Sequence, residues 1–261
     1  MIRLRRDAVD SPSSHPPLRL KYVEAVLSIG FALTFIAWTR LSAPGPLAPN
    51  ADPSSSGGPF GLDLLLPAPV AYPRSAAGQL AEAFAILTHP LIVLAVTATW
   101  VVYAYTGRMR RLSVSLAIAA TGIPVQFLIA LHLARPTPGA TFTDSIAAFA
   151  HAYPNAHVTA MTLASWVLVT LARAHHRSTM VAIGTVLGYA AVVMTAVSQW
   201  YMGLATLSDL IGGFLLGAAF ANLALWVGGI DAILTSWVNR RLSRASSEKR
   251  AAVIYNPTKF D

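Results

Sequence analysis

The sequence predicts an all-α integral membrane protein with six transmembrane helices and both termini in the cytoplasm. Three observations carry that prediction. Hydrophobic residues fill 55% of the 261 positions and charged residues only 11%, where an ordinary soluble domain has about 25% charged. Mean hydropathy is +0.56, and several runs reach the roughly 18 apolar residues that a bilayer crossing needs. The basic residues stand between those runs and not along one amphipathic face. That placement is the signature of membrane topology, and it argues against a nucleic-acid partner despite a net charge of +8. The chain has no cysteine, which excludes disulfides, thiolate nucleophiles and Cys-ligated metals. No metal or other cofactor is expected.

Each element follows in order. Residues 1–21 form a polar tail with Arg3, Arg5, Arg6, Arg19 and Lys21, and residues 23–39 form the first apolar run, closed by Arg40. A basic start before an apolar run also fits a signal peptide, but this run exceeds a typical signal core and the downstream charges need it as a crossing. Residues 41–61 are rich in Pro, Ser and Gly, a flexible linker composition. Residues 62–72 are apolar but flanked or broken by Pro67, Pro69 and Pro73. They do not span and are expected on the outer membrane surface. Residues 78–88 suggest a short helix leading into a crossing at 90–105, followed by a basic turn with Arg108, Arg110 and Arg111. Further crossings are expected at 112–134, 157–171, 179–197 and 209–229. The outer loops fall at 137–154 and 198–208, and Arg173, His175, His176 and Arg177 mark an inner turn.

The membrane domain is thus residues 22–230, with a Pro/Gly/Ser-rich outer loop at 41–78 and a basic cytoplasmic tail at 231–261. Sixteen of the nineteen Lys and Arg fall on the four inner segments, leaving Arg40, Arg74 and Arg135 outside. The opposite orientation violates the positive-inside bias. The protein is expected in the cell membrane as a multi-pass chain.

Three polar sites meet at the outer boundary in this topology: Arg135, the stretch 154–157 and the stretch 198–209. Ionisable residues at membrane depth are costly and mark candidate functional sites. The arrangement suits an anion, because two helices begin at this level with free N–H groups and Arg135 adds a bidentate clamp. His132 and Leu128 lie three and seven residues before Arg135, which places them on one helical stripe. Plainer readings stand beside this one. Asp209 or Ser208 caps the last helix and Asn155 caps the fourth. Arg135 snorkels to the interface, and His157 and His132 are bundle histidines with satisfied nitrogens. His89 and His151 give weaker signals, and His175 and His176 sit on the other side.

The motifs here are L-x6-R-P at 128–136, P-N-A-H at 154–157 and S-Q-x5-A-x3-D at 198–209. In order and spacing they resemble the K-x6-R-P, P-S-G-H and S-R-x5-H-x3-D motifs of the type 2 phosphatidic acid phosphatases, which remove phosphate from lipid phosphates. The resemblance covers about residues 84–229 and extends to the six-helix topology. It implies a site facing the extracytoplasmic side, with a lipid phosphate or polyprenyl phosphate as ligand. In catalytic roles it implies His157 as the acid that protonates the leaving oxygen and Asp209 as the residue that orients the nucleophile. Among substrate-binding positions Arg135 holds the phosphoryl group, and Asn155, Ser198 and Gln199 match motif positions. His132 stands one turn from Leu128 as a substitute cation.

The departures are as informative. The family's nucleophilic histidine is Ala205 here, its third-motif arginine is Gln199 and its first-motif lysine is Leu128. Removing a covalent nucleophile from a coupled set costs about 10⁶ in rate, so the phosphohistidine route is closed. Direct attack by water, with His157 or Asp209 as base, stays open in principle. Thr206 is a nucleophile only if a base activates it. The triple change Ala205→His, Gln199→Arg and Leu128→Lys is expected to restore some activity. A second echo lies at 249–260, KRAAVIYNPTKF, which resembles the opening strand of a diacylglycerol kinase catalytic domain.

Two functions follow: a lipid phosphatase with an impaired site, or a catalytically inactive relative that binds lipid phosphate or scaffolds a protein partner. A transporter fits less well, since no internal repeat or pair of interrupted helices stands out.

Overall fold

The computed structural model describes residues 18–42, 63, 66, 73–135, 137, 142, 145–146, 148–149, 151–174 and 178–228. The expected N-terminal tail up to residue 17, most of the 41–72 linker, the 175–177 turn and the C-terminal tail with its kinase-like stretch lie outside the described residues. Among the described residues seven helices are delimited: α1 (Leu18–Ser42), α2 (Ala76–Leu87), α3 (Pro90–Thr106), α4 (Arg110–Leu133), α5 (Ala156–Ala174), α6 (Ser178–Tyr201) and α7 (Leu207–Gly228); Asp63 is also helical. Among the described residues there is no β-strand. Among the described residues five stretches are long and apolar enough to cross a membrane: α1 from Val23, α2 with α3 as one 31-residue stretch, α4, α6 from Val181, and α7 to Val227. This is an α-helical, multi-pass membrane protein.

Local chemistry sets the boundaries. Ser75 caps α2 by accepting the Gly78 N–H at 3.0 Å. The α2–α3 break falls at Thr88 and His89 because Pro90 has no N–H to continue the ladder, and it sits instead at the first position of α3. The His89 ring accepts the Leu91 N–H at 3.3 Å. Helix α6 runs four residues beyond the expected 197, so Ser198 and Gln199 belong to its last turn and not to a loop. It stops where Gly203 takes a left-handed φ of 68°, a conformation that glycine adopts without steric cost.

Side-chain bonds give the helix directions. Ser113 reaches the Val101 carbonyl between α3 and α4, and Ser165 the Gly188 carbonyl between α5 and α6. Ser115 reaches Ala224 between α4 and α7. Ser28 reaches Ala219, and Trp38 reaches Ser208, between α1 and α7. These four pairs are antiparallel. Helices α5 and α7 run in parallel, with Thr159 bonded to the Gly213 carbonyl. They hold the centre, while α1, α3 and α6 present Leu33, Val102 and Val186 at over 60% exposure, the apolar surface a bilayer would cover.

Candidate functional site

The end of α4, the start of α5, and the turn between α6 and α7 meet at one end of the bundle. Two backbone bonds fix the meeting: Ala152 N–H to the Arg135 carbonyl at 3.0 Å, and Asn155 N–H to the Asp209 carbonyl at 3.1 Å. Close approach depends on Gly212 and Gly213. A Cβ at Gly213 would stand 2.5 Å from the Asn155 carbonyl oxygen, and one at Gly212 2.5 Å from the Tyr153 ring. Asn155 caps α5 through Oδ1, which accepts the Val158 N–H at 3.0 Å. Its amide faces Gln199 Oε1 at 3.4 Å.

Arg135 is delivered by a turn. Helix α4 ends at Leu133, and Ala134 takes a left-handed φ of 47°, which carries the next residue off the helical stripe. The guanidinium then spans the N-terminus of α7. Nη1 donates to Ser208 Oγ at 2.9 Å and lies 3.2 Å from Asp209 Oδ1. Nη2 donates to Asp63 Oδ2 at 2.9 Å and to Thr206 Oγ1 at 3.4 Å. Asp63 also accepts the Ser208 N–H at 2.8 Å and the Ser208 hydroxyl at 2.7 Å. One cation and two carboxylates therefore share a site in which Asp209 is wholly buried and Asp63 nearly so.

Asp209 is the third residue of α7, not its cap. Its Oδ2 reaches back to accept the N–H of Thr206 at 2.7 Å and its hydroxyl at 2.8 Å. Thr206 is the residue before the helix, so the pair forms the backward half of a capping box. Asp209 thus caps the helix from its third residue and not from the position before it. Ser208 is bound by Asp63 and Arg135, and Asp209 Oδ1 faces Arg135 without a hydrogen bond.

The remaining expected site residues have other surroundings. His157 is fully buried in the first turn of α5, and neither ring nitrogen has a hydrogen-bond partner among the described residues. Its ring stands perpendicular to His89 at 5.6 Å and beside Phe149 at 5.3 Å. No ion pair or hydrogen bond joins it to Arg135 or Asp209 among the described residues. Ser198 donates to the Ala81 carbonyl at 2.7 Å and ties α6 to α2. Gln199 is buried, and its Nε2 has no hydrogen-bond partner among the described residues. His132 is exposed on α4, and Leu128 is 65% exposed. The helical stripe expected to join these two with Arg135 ends at Ala134, and no hydrogen bond joins His132 to the guanidinium among the described residues.

Ala205 is fully buried and packs with Val158, Val192 and Leu210. Its methyl sits in an apolar cluster, where an imidazole would have to displace those neighbours. Leu128 is exposed, so a gain of activity from the triple change would require both positions to repack.

The sequence reading missed Asp63 and Tyr153, and it took Thr206 only as a nucleophile in need of a base. Asp63 had a signal, an acid inside an apolar run. Tyr153 is buried against Phe35 and shares a 2.6 Å hydrogen bond with Thr39 of α1. Burial pushes its phenol up to about 12. Among the described residues no group of three His, Asp or Glu is placed to hold a metal ion. No family model matches the chain, and no curated protein or solved structure matches it.

Proposed function

We propose that this chain is a six-crossing membrane protein of the type 2 phosphatidic acid phosphatase kind, with cytoplasmic termini. It binds the phosphate of a lipid phosphate or polyprenyl phosphate at the outer face without turning it over by the phosphohistidine route. The observation that supports this most is the convergence of the Arg135 guanidinium with the Ser208 N–H and hydroxyl on one carboxylate. Charged donors at the first turn of a helix are the chemistry of anion recognition. Each such bond to phosphate contributes about 1.5–3 kcal/mol, enough for weak binding and far short of replacing a nucleophile.

The sixth crossing is α5, whose apolar stretch Ala156–Val169 is shorter than the others. It packs among α3, α4, α6 and α7, so it meets protein more than lipid. Its Thr159, Thr162 and Ser165 hydroxyls bond to backbone carbonyls, as suits a helix inside a bundle.

A second reading, slow hydrolysis by water, is favoured by one observation: neither ring nitrogen of His157 has a hydrogen-bond partner among the described residues, and a general base toward water needs one such nitrogen open. Phosphate release from purified protein, measured against a panel of lipid phosphates, separates the two. Release at background rate alongside measurable binding supports the binding reading. A robust rate lost in His157→Ala supports the enzyme.

A further inference from the structure

Asp63 is remote in sequence from every group it binds, 72 positions from Arg135 and 145 from Ser208. Even so, its two oxygens take three donors at 2.7 to 2.9 Å: the Ser208 N–H, the Ser208 hydroxyl and Arg135 Nη2. These are lengths of charge-assisted hydrogen bonds. A carboxylate bridging a helix N-terminus and a guanidinium presents two oxygens where a phosphate would present two of its own.

We propose that Asp63 is an intramolecular competitor for the anion site, and that a phosphate ester binds by displacing its carboxylate. This deepens the phosphate-binding reading and rests on it. The two acids of the cluster are not equivalent. Asp209 is fixed, because its Oδ2 caps the start of α7 through Thr206 and its side chain is wholly buried. Asp63 is helical but lies outside α1–α7, and it holds only donors that an incoming anion can satisfy. A phosphate arriving with Asp63 in place would set three anions around one guanidinium, and like charges in a partly buried site repel strongly. Exchange of one anion for another avoids that. The apparent affinity of the site is then lowered by the fraction of molecules in which Asp63 is seated.

The test uses the full chain in detergent, titrated with short-chain phosphatidic acid and separately with inorganic phosphate. Wild type is compared with Asp63→Asn, which keeps the shape and removes the charge, and with Asp63→Ala, which removes both. The expected result is binding about tenfold tighter in both variants, with thermal unfolding reporting that each is folded. A gain for phosphatidic acid alone supports a lipid ligand, and a gain for both probes supports recognition of phosphate itself. Equal or weaker binding in the folded variants, with wild type binding normally, overturns the competitor role and leaves the phosphate site standing. Binding of neither probe by any of the three proteins overturns the site as well.

Discussion

Arg135 Nη2 and Asp63 Oδ2 lie 2.9 Å apart across 72 residues of chain, with the Arg135 side chain 17% exposed and that of Asp63 8%. The same guanidinium turns its other nitrogen to Asp209. One cation thus neutralises acids from two segments and anchors both at the head of α7. Its position depends on α4 ending one residue earlier, at a left-handed Ala134.

Removing this cation should be costly. Arg135→Gln leaves the wholly buried Asp209 without a counter-charge, and breaking one partner of such a pair destabilises by about 3 kcal/mol. Arg135→Lys should lose less, because it keeps the charge and gives up only the fork. Chemical denaturation in detergent checks the order: wild type, then Lys, then Gln.

Ala205→His should destabilise the protein and add no phosphate release. The methyl has no exposed surface and touches Val158, Val192 and Leu210. Inserting an imidazole overpacks that cluster at a cost of about 1–3 kcal/mol. The unfolding midpoint and a phosphate assay on the single variant test both halves. A variant as stable as wild type that releases phosphate would show that the site has only lost its nucleophile.

Gly213→Ala should loosen the joint between α5 and α7. The new methyl meets the Asn155 carbonyl oxygen at 2.5 Å, and backbone is slow to yield, so about 1–3 kcal/mol is expected. The Asn155 N–H bond to Asp209 should lengthen with it. Faster hydrogen exchange at Asn155, set beside the loss of stability, checks the direction.

Tyr153 supplies a pH dependence. Its phenol is pushed up to about 12 by burial, above the ordinary value near 10. A group raised in the folded state contributes stability that is complete below pH of about 10 and lost as pH climbs towards about 12. Tyr153→Phe, which cannot ionise, should flatten that decline. Unfolding midpoints of both proteins between pH 9 and pH 12, on the order of the window set by these values, make the comparison.

The helices were largely legible because bilayer-length apolar runs and basic turns leave strong marks. The α2–α3 break at Pro90 shows this best. Arg135, Asn155, His157 and Asp209 were legible as candidates because polar groups at run ends are conspicuous. Their partners were harder to read. Asp63 binds across 145 residues to Ser208, a contact no local pattern encodes. The Leu128–His132–Arg135 stripe failed because helical periodicity assumes that the helix continues, and a single left-handed residue ends it. Ser198 and Gln199 read as loop from their polarity, but the last turn of α6 takes them in. A polar composition does not by itself end a helix.

The most direct test of the central claim, that Arg135 and the head of α7 form a phosphate cradle, is the affinity of purified protein for short-chain phosphatidic acid in wild type and Arg135→Lys. The lysine keeps the charge that stabilises the fold but loses the second donor. Wild type should bind, and the folded lysine variant should bind about tenfold more weakly, the loss of one charge-assisted bond. Equal affinity in the two proteins, or no binding by wild type, would contradict the account.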